Sequence, residues 1–280
     1  MRLAGDRCTG SVKSPTMDST SVGSDVRPIS HDATGGNVGA VAEPTGRSGA
    51  SPWRWVPALV PASLMLVLGL IGVTRPVLSW DEVATADVAG RSVGQIWRTA
   101  QSIDAVFAPY YLFMHFWTSV AGPSDLALRL PSVIAMAGVA AMTGELGRRM
   151  FGPVAGTVGA LFLCLIPNAS RYAAEARPYA FASFFAVLAL VLLLRALRRP
   201  SAAGWAGYGV AVLFMGLSHV IALTTLAAHV PLLLGRRGHA DRRRTAGRWA
   251  LAGGVALALL LPLLWLGLHQ RDDQLGWVGA

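Results

Sequence analysis

Long stretches without a formal charge constrain this chain more than any other feature. Residues 55–74, 105–124, 150–170, 178–194, 200–235 and 249–268 carry no Asp, Glu, Lys or Arg. Residues 130–146 carry only Glu145, near their end. About 20 apolar residues cross a bilayer as one helix, so these runs predict an all-α polytopic bundle. The chain is 53% hydrophobic and 14% charged, with a mean hydropathy of +0.49. A soluble domain carries about 25% charged residues. The net charge of +9 does not signal nucleic acid, because the arginines cluster at the ends of apolar runs, where loops facing the cytoplasm collect them. Cys8 lies in the polar N-terminal region and Cys164 in an apolar run, so no disulfide framework is implied.

Residues 1–52 are rich in Gly, Ser, Thr, Asp and Pro. They offer too little apolar surface to offset chain entropy and are expected to form a disordered cytosolic tail. Residues 53–280 form the membrane module. Arginine clusters at 148–149, 195–199 and 236–248 should share the cytoplasmic side. Pairs of passes between them satisfy this if 200–235 folds as a hairpin turning near residues 216–219. Residues 105–124 must then stay out of the membrane. Pro109, His115 and Pro123 mark this run as the one that does not cross. Residues 79–128 accordingly form a large first outer loop lying on the membrane. Within it, Val83, Ala86, Ala89, Val93, Ile96, Trp97, Ala100 and Ile103 recur at helical spacing. The result is about seven spans, with the N-terminus cytoplasmic and the C-terminus outside, in the plasma membrane. If 105–124 crosses instead, the tail lies outside.

On this topology several polar residues gather on the outer face. Asp81 and Glu82 follow the first span; Glu175 and Arg177 lie in the loop before residue 178; Arg129 stands at the mouth of the second span; His219 sits at the hairpin turn. The competing bland readings are solvated loop acids, a local Arg171–Glu175 or Glu175–Arg177 pair, a snorkelling Arg129 and a polar turn histidine. Arginines on an outer face break the charge bias and suggest a bound phosphate. A carboxylate beside them could deprotonate an acceptor hydroxyl.

Three stretches carry a family resemblance. These are Trp80-Asp81-Glu82; Ala108-Pro109-Tyr110-Tyr111 with Leu128-Arg129-Leu130-Pro131-Ser132; and Gly147-Arg148-Arg149 with Glu175-Ala176-Arg177-Pro178-Tyr179. Together they resemble glycosyltransferase family 39, of the C-type glycosyltransferase fold, which includes protein O-mannosyltransferases and the lipid A aminoarabinose transferase. The resemblance implies transfer of a hexose such as mannose from a polyprenyl-phosphate donor to a glycan or protein acceptor outside the cytoplasm, with inversion. It implies Asp81 as catalytic base or acceptor-orienting group. It implies Glu82, Arg129, Glu175 and Arg177 as substrate-binding residues, with Glu175 near the donor phosphate or a divalent cation; Tyr110, in the Pro-Tyr-Tyr stretch, and His219, at the outer turn, join them as substrate-binding candidates. Family members usually run longer, so the chain is expected to be truncated at its C-terminus. Two other readings remain at this level: a catalytically incomplete scaffold of the same fold, and a transporter, for which Glu145 is the charge inside a span.

Overall fold

The computed structural model describes residues 52–73, 77–235 and 239–275, with side chains described as far as Gln270. The expected tail, but for Pro52, lies outside the described residues, as do Arg75 and Arg236. No strand occurs among the described residues.

A 3-10 turn, Pro52–Trp55, leads into α1, Val56–Val73. Three short helices follow: α2, Trp80–Ala89; α3, Val93–Ser102; and α4, Ala108–Ala121. Then come α5, Asp125–Phe151; α6, Pro153–Leu165; α7, Pro167–Ala173; α8, Tyr179–Arg198; and α9, Ala202–Ser218. A 3-10 segment, Val220–His229, passes into α10, Val230–Leu234, and α11, His239–Leu275, completes the described chain.

Four helices are long and apolar enough to cross a membrane: Trp53–Val73, Asp125–Phe151, Tyr179–Arg198 and the His239–Gln270 part of α11. The pair α6 and α7 adds a fifth when taken as one span bent by 75°. Pro167 explains the break, because its ring cannot continue the preceding turn. The shorter apolar helices Ala202–Ser218 and Val220–Leu234 occupy the places expected for the hairpin, which turns at His219. All seven expected segments are therefore apolar helices, but only four or five reach spanning length. The second arm of the hairpin differs from expectation in being mostly 3-10 helix.

The first loop also differs in detail. The single amphipathic helix expected over 83–103 is two helices, broken at Gly90–Ser92, where Gly90 ends α2 and Ser92 caps α3. The run at 105–124 becomes α4, 14 residues long. At 1.5 Å per residue it rises roughly 21 Å, short of the ~30 Å hydrocarbon core. Its Tyr110, Tyr111 and Met114 pack on Val88, Ala89 and Ile96 of α2 and α3. The His115 ring lies 2.9 Å from the Ala89 carbonyl, and the Trp117 indole donates to the Ala127 carbonyl at 2.7 Å. Gln270, near the end of α11, holds the loop from the other side: it accepts from the Ala105 amide at 2.9 Å and donates to the Ala100 carbonyl at 2.8 Å.

The long helices meet through small residues, the usual means of close approach between helices in lipid. A Cβ on Gly144 would run into the Pro57 carbonyl, and one on Gly147 would lie 2.7 Å from the Gly156 Cα. Helices α1, α5 and α6 thus touch backbone to backbone. We expect Gly144→Ala to lower stability by about 2 kcal/mol or more, because backbone cannot yield as a side chain does. Thermal melting in detergent checks this.

Candidate functional site

The site begins at the N-terminus of α2. Ser79 caps the helix: its side chain accepts from the Glu82 amide at 3.4 Å, while the Ser79 amide donates to Glu82 Oε2 at 3.0 Å. This reciprocal box fixes the first turn. Successive helical residues diverge by about 100°, so Asp81 and Glu82, neighbours in sequence, point to different places.

Glu82 points inward and is 2% exposed. It meets Arg129 of α5, 1% exposed, in a two-pronged pair with Nε–Oε1 at 2.7 Å and Nη2–Oε2 at 2.9 Å. Arg129 also donates to the Val73 carbonyl at 2.9 Å and the Val77 carbonyl at 3.3 Å. The Ala176 amide donates to Glu82 Oε1 at 3.0 Å. One buried ion pair therefore joins the end of α1, the start of α2, α5 and the loop before α8. Burial works to raise the Glu82 carboxyl, but Arg129 and the Ser79 and Ala176 amides outweigh it and hold the pKa at about 2. Helix α5 starts at Asp125, so Arg129 lies one turn in from its start, and its buried side chain is paired with Glu82 rather than snorkelling.

Asp81 points outward. Its side chain is 66% exposed and its Oδ2 lies 3.1 Å from Arg177 Nη1. Arg177 comes from the turn that Glu82 holds, closed by the Arg177 amide donating to the Glu175 carbonyl at 2.9 Å. Its guanidinium sits over the rings of Tyr179 at 5.2 Å and Phe107 at 5.8 Å and donates to the Tyr179 hydroxyl at 3.1 Å. Tyr179 in turn packs against Tyr172 at 5.1 Å and His219 at 5.2 Å. Burial and the positive charge of Arg177 push the His219 imidazole below its usual pKa, so it is neutral near pH 7.

The sequence reading missed Asp104. It has φ 61°, the left-handed region, and is the non-glycine residue with positive φ among the described residues. Asp tolerates this conformation better than most residues, at a cost of order 1–3 kcal/mol. Its carboxyl is raised by burial, against the Tyr111 hydroxyl 3.5 Å away and the charge of Arg177. Asp81 and Arg177 are both close enough to act on it electrostatically. No spacing rule singles out Asp104; its backbone geometry does.

Of the expected site residues, the structure joins Asp81, Arg177 and His219 into one cluster through Tyr179. Glu82 and Arg129 lie directly beneath it, paired with each other. Glu175 pairs locally with Arg171 at 2.7 Å. Tyr110 is buried, 5% exposed, and burial raises its hydroxyl pKa. Among the described residues no three His, Cys, Asp or Glu converge into a cation site.

Among the described residues the molecule is an all-helical bundle with membrane-spanning helices and an acid–arginine pair at one end of them. Residues 108–266 match the family described as dolichyl-phosphate-mannose-protein mannosyltransferase. That is more than half of the 280 residues, and the chain belongs to this family as a membrane glycosyltransferase of mannosyltransferase type. Asp81, Glu82 and Asp104 precede the matched stretch; Tyr110, Arg129, Glu175, Arg177 and His219 lie within it. Comparison with curated proteins and with solved structures gives no match.

Proposed function

We propose that the chain transfers a hexose, mannose or a close relative, from a polyprenyl-phosphate donor to a hydroxyl of an acceptor on the extracytoplasmic face. The observation that carries this reading is the contact between exposed Asp81 and Arg177. A base and a phosphate-binding cation stand within one hydrogen bond of each other at the loop end of the bundle. Asp81 takes the acceptor proton as the hydroxyl oxygen attacks the anomeric carbon. The bond from that carbon to the phosphate oxygen breaks, and the polyprenyl phosphate leaves with the electron pair. Arg177 stabilises the charge that develops there, and attack opposite the leaving group inverts the centre. The rings of Phe107 and Tyr179 hold the guanidinium plane in place. Asp104 and Tyr111 line the side facing Arg177.

An apolar cavity of about 920 Å³ supports a lipid-linked donor. It is lined by Trp97, Ala100, Ala105, Ala108 and the Leu259–Leu268 part of α11, and so begins one residue from Asp104. An isoprenoid chain would lie there with its phosphate directed toward Arg177. Glu82 and Arg129 position the pair without touching substrate. His219 and Glu175 border the site; an extracytoplasmic site places the arginine-rich ends and the N-terminus in the cytoplasm.

The test is transfer of radiolabelled mannose from polyprenyl-phosphate mannose by membranes containing the full chain. Arg177→Ala should lower kcat/KM on the order of a hundredfold or more, the scale of losing one transition-state donor. Arg177→Lys should restore only part, because a point charge replaces a stacked planar fork. Wild-type-like transfer by Arg177→Ala would remove the proposed role.

A further inference from the structure

We propose that the arginine-rich end of the bundle, opposite the Asp81–Arg177 cluster, carries a built site for an anionic phospholipid. A cavity of about 630 Å³ opens there between α1, α5 and α8. Its apolar wall includes Ala58, Ala141, Leu146 and Val191, and its rim is Arg149, Arg195, Arg198 and Arg199. Glu145, the one acid among the lining residues, is already held by Arg148 at 2.6 Å and by Arg149 at 2.6 Å. Those contacts engage both of its carboxylate oxygens. Arg195, Arg198 and Arg199 are exposed and face the same opening.

Two chemistries thus meet in one place. Hydrocarbon walls suit acyl chains, and an excess of guanidinium groups suits a phosphodiester headgroup. Arginines at helix C-termini also complement the helix dipole, which accounts for their presence on α5 and α8. It does not account for their convergence on an apolar cavity wide enough for lipid chains. Charge complementarity selects an anionic lipid of the adjoining leaflet over a zwitterionic one.

The test is native mass spectrometry of the purified full chain, titrated with cardiolipin or with phosphatidylcholine. Cardiolipin should bind at least tenfold tighter. Arg195→Gln with Arg199→Gln should weaken cardiolipin binding roughly 25-fold, at about a factor of five per arginine. Arg243→Gln with Arg244→Gln, in the basic start of α11, should leave it unchanged. Ala141→Phe, which fills the apolar wall and keeps every charge, should also weaken it. Lipid-free melting curves establish that each variant folds. Equal losses in both arginine pairs, or full binding by Ala141→Phe, would overturn the site in favour of diffuse surface attraction.

Discussion

Asp81→Asn is expected to reduce sugar transfer by a factor of about 10² to 10⁴, the usual contribution of a positioned general base. The substitution keeps the shape of the side chain and removes its ability to accept a proton. Asp81 is 66% exposed, with Arg177 as its ion-pair partner. A pair with one partner this open to solvent contributes about 0–1 kcal/mol to stability, and Arg177, itself 18% exposed, keeps its bond to the Tyr179 hydroxyl, so melting in detergent should scarcely change. Donor binding should persist as well, because Arg177 keeps its stacking on Phe107 and Tyr179. The expected signature is therefore a fall in kcat with KM nearly constant. A variant that transfers mannose at the wild-type rate would show that another group takes the proton, and Asp104 is then the nearest carboxylate with a raised pKa.

Arg129→Ala should act in the opposite way, through the fold. Removing one partner of a buried pair leaves the other charge uncompensated, at about 3–5 kcal/mol. The loss should be visible as a large drop in melting temperature and, because Glu82 then ceases to fix Ala176, as lost activity. Glu82→Leu with Arg129→Met should recover much of the stability, since an apolar pair of similar volume replaces the charges. It should not recover transfer if the Ala176 anchor is what aligns Arg177. The acid limit follows from the same pair. Glu82 is lowered from an ordinary 4.5 to about 2, so its contribution is fully present above about pH 4.5. It fades as pH falls through about 2. The wild-type bundle should hold to lower pH than Arg129→Ala, measured by near-ultraviolet circular dichroism in detergent.

The membrane class, the helical segments and the hairpin turn at His219 were all legible in the sequence, because apolar length and charge are properties of contiguous residues. The ends of helices were less so. Extension of α5 back to Asp125 and of α11 back to His239 depends on capping and packing rather than hydropathy. The 75° break at Pro167 was written in the proline, yet its angle came from packing.

Asp81 and Arg177 were legible as candidates, but their separation of 3.1 Å was not. Nor was the division of labour between Asp81 and Glu82. A capped first turn sends one acid outward and the other to an arginine that lies far along the chain. Asp104 was invisible because nothing in residue type announces a left-handed backbone. The sequence by itself determined that this chain is a helical membrane protein with acids and arginines between its spans. Only the tertiary structure decided which acid meets which arginine, because ion pairing depends on distance in space and falls away within a few ångströms in water.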